Sequence, residues 1–146
     1  CKWLSEKTGE IYSLPTEAQW EFAAGGGKEH QLWAGTNSDT DLGKFAWFTM
    51  NSSNTLHQTG TKNANLYDIY DISGNAWEWC ADWYCDTVYT AEKVKNPVNK
   101  TEAKLRVLRG GSWACDAKLC RTSFRYSFSP QGFDADISFR VVKIEK

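Results

Sequence analysis

The sequence predicts an α+β domain built from short helices, small antiparallel sheets and much irregular loop. Three observations carry this reading. One N-terminal segment has a complete helix-start signature, and two later segments, 105–109 and 139–144, alternate as half-buried strands do. The long stretches between them have no period, yet carry single aromatic anchors.

The helix start is Leu14-Pro15-Thr16-Glu17-Ala18-Gln19-Trp20. Thr16 can cap it, with Gln19 in the capping-box position. Trp20, Ala23 and Ala24 then share one face. Gly25-Gly26-Gly27 ends the helix, because glycine is cheap in the left-handed conformation past the last turn. Trp3, Leu4 and a closing Gly9 predict an earlier helix. Residues 28–64 read as loops pinned by Trp33, Phe45, Trp47 and Phe48, and anchors of this kind separate them from disordered chain. Residues 86–104, with Pro97, read as a further surface loop, and 114–138 show no period.

At 146 residues with 41% hydrophobic side chains, the chain is long enough for one domain with a real core. It reads as a single domain over 1–146. Cys1 already lies in structured-looking sequence, so a longer protein is expected, with the N-terminal part of the domain outside this chain. A net charge of −1 argues against nucleic acid or an anionic membrane as partner. No apolar run approaches the roughly 18–20 residues of a transmembrane segment. Eight tryptophans suggest a core of large aromatic plates or a stacking surface, and five cysteines leave at least one thiol unpaired, metal-bound or paired elsewhere. His30 and His57 are isolated. Gly25-Gly26-Gly27 follows a helix and does not open one, so it is no phosphate cradle. The Ser-Gly-Asn turn has no partner histidine for hydrolase chemistry.

Four ordered segments carry a family resemblance: Trp3-Leu4-Ser5 with Leu14-Pro15-Thr16-Glu17-Ala18-Gln19-Trp20-Glu21; Tyr70-Asp71-Ile72-Ser73-Gly74-Asn75-Ala76-Trp77-Glu78-Trp79; Arg109-Gly110-Gly111-Ser112-Trp113; and Phe139-Arg140-Val141. Together they resemble the formylglycine-generating enzyme (sulfatase-modifying factor) family, a variant of the C-type lectin-like fold. The resemblance covers nearly the whole chain and implies that fold. It does not by itself fix function, because one fold hosts many activities.

Around the Ser-Gly-Asn turn, Asp71 and Glu78 can bring together carboxylates and backbone carbonyls, hard oxygen ligands that suit Ca²⁺. The resemblance implies a structural calcium site using the Asp71 and Glu78 side chains and the carbonyls of Gly74 and Ala76. The alternative is an Asx-type turn in which Asp71 and Asn75 bond local backbone. The acidic pattern of a second calcium site, expected before residue 65, is missing.

In the family's copper-dependent enzymes, two cysteines separated by four residues follow the Gly-Gly-Ser motif and bind Cu(I), a soft ion suited to thiolates. They oxidise a substrate cysteine to formylglycine. Here Cys115 and Cys120 reproduce the spacing and Ser112 matches the serine. The surroundings depart: Asp116 stands for histidine, Leu119 for tyrosine, and Arg121-Thr122-Ser123-Phe124 for Arg-Tyr-Arg. Cys80 and Cys85 share the spacing without a family role, and Cys120 also fits the CRxSxR pattern of non-enzymatic members.

Between Phe124 and Ser138, bulky aromatics fill slots that the family gives to Asn, Arg and Ser. Such side chains suit a contact surface, giving large rigid area at low entropy cost. The alternative is that two or three of them cover an apolar subsite under the absent N-terminal part. The pattern is similar to the variable proteins of diversity-generating retroelements, the treponemal type among them. That likeness implies a framework of Gly110, Gly111, Ser112, Trp113, Cys120, Arg121, Arg125, Pro130, Phe139 and Arg140. It implies a variable ligand-binding region over 114–138, with contact residues Ala114, Cys115, Asp116, Lys118, Leu119, Phe124, Tyr126, Phe128, Phe133, Asp134 and Asp136. On this reading Cys115 is a product of diversification. The expected function is non-enzymatic recognition, receptor- or adhesion-like, on a cell or phage surface or outside the cell, with any lipid anchor in a segment beyond this chain. A protein ligand fits better than a carbohydrate. The alternatives are a copper-dependent formylglycine-generating oxidase using Cys115, Cys120 and Ser112, and a structural partner-docking module. The oligomeric state is open.

Overall fold

A computed structural model describes residues 1–89 and 94–145. Helix α1 (Lys2–Thr8) closes on Gly9 at φ 75°, the left-handed residue that its sequence announces. Strand β1 (Ile11–Ser13) and helix α2 (Glu17–Ala24) follow. The capping box of α2 forms as expected. Thr16 Oγ1 accepts the Gln19 N–H at 3.2 Å, and Gln19 Oε1 accepts the Thr16 N–H at 2.9 Å. Trp20 and Ala24 are buried. Gly25 caps the helix at φ −73°, and the left-handed residue is Gly26 at 71°.

The remaining strands are β2 (Trp77–Trp83), β3 (Arg106–Arg109), β4 (Tyr126–Phe128), β5 (Ile137–Ser138) and β6 (Val142–Ile144). A two-stranded sheet pairs β1 with β6 antiparallel, joining the two ends of the chain. A four-stranded sheet runs β4-β3-β2-β5. Its β2/β3 and β3/β4 pairs are antiparallel, but β5 lies parallel to β2, with Trp77 opposite Ile137. The expected all-antiparallel pattern fails at that pair. A parallel partner needs a long crossover, and here β3, β4 and the intervening loop supply it.

Three other expectations shift. Strand β2 opens with the Trp-Glu-Trp motif just after the Ser-Gly-Asn turn, where no strand is expected from the sequence. Strands β4 and β5 fall inside the aperiodic 114–138 region, being too short to show alternation. The strand over 139–144 shrinks to β6, leaving Phe139 62% exposed. The 86–104 loop is irregular where described, and residues 90–93 lie outside the described residues.

Side chains alternate across a strand, and β3 uses this to divide the core. Leu108 packs with Trp33, Leu42, Ala46, Phe48, Trp77, Cys115 and Cys120. Its neighbour Val107 packs with Trp20, Ala24, Ala34, Ile72 and Cys80. Trp33 and Phe48 thus anchor the 28–64 loops, as expected. Trp47 sits nearer the surface, with His57 stacked on it at 3.7 Å and the Lys62 ammonium 3.8 Å from its ring centre.

A buried ionic cluster ties α2 to the chain before β4. Arg109, wholly buried, donates to Glu17 Oε1 at 3.3 Å, to Glu21, and to the carbonyls of Thr122 (2.6 Å) and Phe124 (3.1 Å). Arg125 donates through Nε and Nη2 to the Glu17 carboxylate at 2.7 and 2.9 Å. Glu17 is itself buried, and its N–H donates to Asp82 at 2.7 Å.

Candidate functional site

Strand β4 turns Tyr126 and Phe128 to one face, as its two-residue period requires. Tyr126 stacks on Trp77 with ring centres 5.0 Å apart, Phe124 tilts against the same indole at 6.1 Å, and Phe128 meets Trp79 at 6.4 Å. These rings border an open cavity of about 290 Å³, lined by Trp77, Cys115, Leu119, Phe124, Tyr126, Phe128, Asp134, Asp136 and Ile137. Seven of the expected contact residues therefore converge: Cys115, Leu119, Phe124, Tyr126, Phe128, Asp134 and Asp136. Ala114, Asp116, Lys118 and Phe133 are exposed outside it, with Phe133 94% accessible. Sequence reasoning missed Trp77 and Ile137. Their pairing across β2 and β5 leaves no trace in either segment alone.

The surrounding loop is held by main-chain bonds. Trp113 N–H donates to the Asn75 carbonyl (3.0 Å), and Thr49 N–H to that of Cys115 (2.9 Å). Thr122 N–H donates to Leu32 (2.9 Å), and Trp77 N–H to Asp136 (2.8 Å).

Two expected contact residues belong partly to the scaffold. Cys115 is only 8% exposed, packed in the Trp77–Leu108 cluster at the base of the cavity. Its N–H bonds the Ser112 carbonyl at 3.0 Å in a tight turn that directs the side chain inward. Asp136 accepts the Ser112 hydroxyl at 2.6 Å, besides receiving Trp77 N–H on its carbonyl. Ser112, fully buried, also lies 3.3 Å from the Cys115 sulfur.

Several of the expected framework residues pack or bond into the scaffold. Gly111 sits at φ 74°, where a Cβ would stand 2.7 Å from the Cys120 sulfur. Arg121 lies over Trp33 with its guanidinium 5.4 Å from the ring centre. Arg125 and Arg140 both hold buried carboxylates. All five cysteines are free thiols. Burial pushes the Cys120 thiol far above its usual pKa, and the nearby Cys115 and Asp116 add to this.

Asp71, Ala76 and Glu78 line a second cavity, of about 500 Å³. The Glu78 carboxylate is already engaged: Trp20 Nε1 donates to it at 2.7 Å, Arg140 Nε at 2.6 Å, and Arg140 Nη2 as well. The Gly74 carbonyl accepts the Ala76 N–H at 2.9 Å. Asp71 Oδ2 accepts from Gly60 N–H at 2.7 Å, leaving Asp71 Oδ1 buried and without a partner. Calcium takes six to eight oxygens, and here one carboxylate oxygen is uncommitted. Among the described residues, no three His, Cys, Asp or Glu side chains gather to hold a metal. At Glu78, a member of the expected set of Asp71, Gly74, Ala76 and Glu78, the positive charge comes from the Arg140 guanidinium. Asn75 does not make a local turn. It clamps residue 57, with Oδ1 accepting the His57 N–H (3.0 Å) and Nδ2 donating to the His57 carbonyl (3.1 Å).

Comparison with known proteins agrees with the motifs. Residues 1–144 match the family described as "Sulfatase-modifying factor enzyme 1-like domain". A formylglycine-generating enzyme of Streptomyces coelicolor is 31% identical over 141 residues, covering 87% of this chain and 45% of that protein. A protein named serine/threonine-protein kinase pkn1, from Chlamydia pneumoniae, is 32% identical over 98% of this chain and 22% of its own length. Among solved structures, Treponema denticola variable protein 1 superposes with a TM-score of 0.85 at 40% identity, covering 90% of this chain and 47% of that one. The chain spans less than half the length of each of these relatives. No helix among the described residues is long and apolar enough to cross a membrane. The chain belongs to the sulfatase-modifying factor enzyme 1-like family and has its α+β, C-type lectin-like fold.

Proposed function

We propose that this chain is a non-enzymatic ligand-binding domain, that its contact face is formed by residues 114–138, and that this face is diversified by a retroelement. The observation that carries this reading is the convergence of Phe124, Tyr126 and Phe128 on one open cavity, on a loop held by main-chain bonds. Likeness to a treponemal variable protein supports it. The ligand is a protein, because rigid aromatics are the side chains that dominate protein interfaces, and the domain is displayed on a cell or phage surface. Sequencing the flanking DNA tests the diversification. The expected finding is a reverse-transcriptase gene and a near-copy of codons 113–138 differing only at adenines; absence of both sinks that part of the reading.

One observation favours a second reading, the copper-dependent oxidase: Cys115 is an unpaired thiol with the Ser112 hydroxyl 3.3 Å from its sulfur. Against it stand Asp116 and Leu119, which replace the histidine and tyrosine found at these places in the copper-dependent enzymes. Incubating the protein with copper and a sulfatase-motif peptide decides between them. We expect no aldehyde mass above background, and its appearance would reverse the choice.

A further inference from the structure

We infer that the 290 Å³ cavity receives a positively charged side chain, lysine or arginine, from the protein ligand; this deepens the binding reading above and rests on it. Four aromatic rings, Trp77, Phe124, Tyr126 and Phe128, share the lining with two carboxylates, Asp134 and Asp136. No Lys, Arg or His is among the residues that line it. The face of an aromatic ring carries negative electrostatic potential, so a cation placed against it is attracted, more strongly where water is partly excluded.

The carboxylates have acceptor capacity to spare. Asp136 commits Oδ2 to the Ser112 hydroxyl, and Asp134 commits Oδ1 to the N–H of Ala135 at 2.6 Å. Each keeps a second oxygen outside those bonds. Neither aspartate forms an ion pair with a cationic side chain among the described residues. A neutral apolar guest would satisfy the rings but bring hydrocarbon against ionised oxygens, which costs desolvation without return. An anionic guest would meet two like charges. A lysine or arginine satisfies both parts of the lining, its alkyl stem on the apolar wall and its charged head at the carboxylates.

The test uses the full protein and four small probes: the N-acetyl amides of lysine, arginine, norleucine and glutamate. Binding is followed by NMR through the ring and indole resonances of the cavity. The lysine and arginine probes are expected to bind about tenfold tighter than norleucine, with glutamate weakest. Asp134→Asn should cut that preference several-fold, and high salt should lower it too. Norleucine binding as tightly as the cationic probes overturns the assignment of charge and leaves the binding face standing. If no probe perturbs any cavity ring, the cavity is not the contact site, and both readings fall there.

Discussion

Replacing Glu17 by glutamine tests the buried ionic cluster most directly. The wild-type carboxylate is 1% exposed and accepts from Arg109 Nη1 (3.3 Å), Arg125 Nε (2.7 Å), Arg125 Nη2 (2.9 Å) and the Tyr89 hydroxyl (3.1 Å). Glutamine keeps the shape and one acceptor oxygen, but its amide turns N–H groups toward a guanidinium. Arg109 retains Glu21 and two carbonyls, so the loss falls mainly on Arg125, whose other protein bond is to the Cys85 carbonyl at 3.1 Å. Breaking a buried pair from one side costs about 3–5 kcal/mol, because a charge stays buried without compensation. Against a total of about 5–15 kcal/mol for a domain, that is a large share. Urea unfolding followed by tryptophan fluorescence reads it as a lowered midpoint at unchanged m-value. Changing both partners, in Glu17→Gln/Arg125→Met, should recover part of the loss, since the guanidinium left without its carboxylate is then gone. A single-mutant loss under about 1 kcal/mol, or a double mutant no better than the single, would refute the cluster as the link between α2 and the face.

Alkaline pH should weaken the fold through Cys120. Its folded pKa is raised, so below the unfolded thiol value of about 8.5 both states keep the proton and nothing changes. Above that value only the unfolded state ionises, and stability falls by up to about 1.4 kcal/mol per pH unit per buried thiol. Cys120→Ala should flatten this slope in urea midpoints taken from about pH 7.5 to 10; an unaltered slope contradicts the assignment. Gly111→Ala, at φ 74° and with its new methyl against Cys120, should cost about 2–4 kcal/mol by the same unfolding assay. Asp136→Ala, which strips the acceptor from a buried Ser112 hydroxyl, should cost about 1–2 kcal/mol. Exposed Asp134→Ala should stay within about 0.5 kcal/mol; equal losses at the two positions would deny Asp136 its scaffold role.

Local chemistry explains what was legible in the sequence. Thr16 with Gln19, the glycine after Thr8, and the alternation before Gly110 each act within a few residues, and each took its expected form. Strands β4 and β5, of three and two residues, exist because β3 and β2 offer them edges, and a partner distant in the chain leaves no local period. That Phe124, Tyr126, Phe128 and Phe133 are not all core was legible as composition, since an aperiodic loop cannot turn four aromatics inward. Which residues turn inward was not. Cys115 and Asp136 look like surface positions until the turn on Ser112 is seen. The same holds for Arg140: nothing near Phe139 signals that its guanidinium reaches the buried Glu78 carboxylate.

Peptide groups of the 113–136 stretch, at Trp113, Cys115, Thr122 and Asp136, make many of the bonds that fasten it, alongside the side-chain bonds of Arg125 and Asp136. A peptide group is the same in every residue but proline, so the peptide fastenings do not depend on which side chain the codon specifies. The loop is in effect a socket board whose wiring runs behind the panel: Phe124, Tyr126, Phe128 and Phe133 can be exchanged for others while the backbone keeps its course. Proline at 113, 115 or 122 would be the exception, since it would remove the N–H given to Asn75, Ser112 or Leu32. A library randomised at those aromatic positions should therefore remain folded in most members, and new specificities could be drawn from it without redesigning the scaffold.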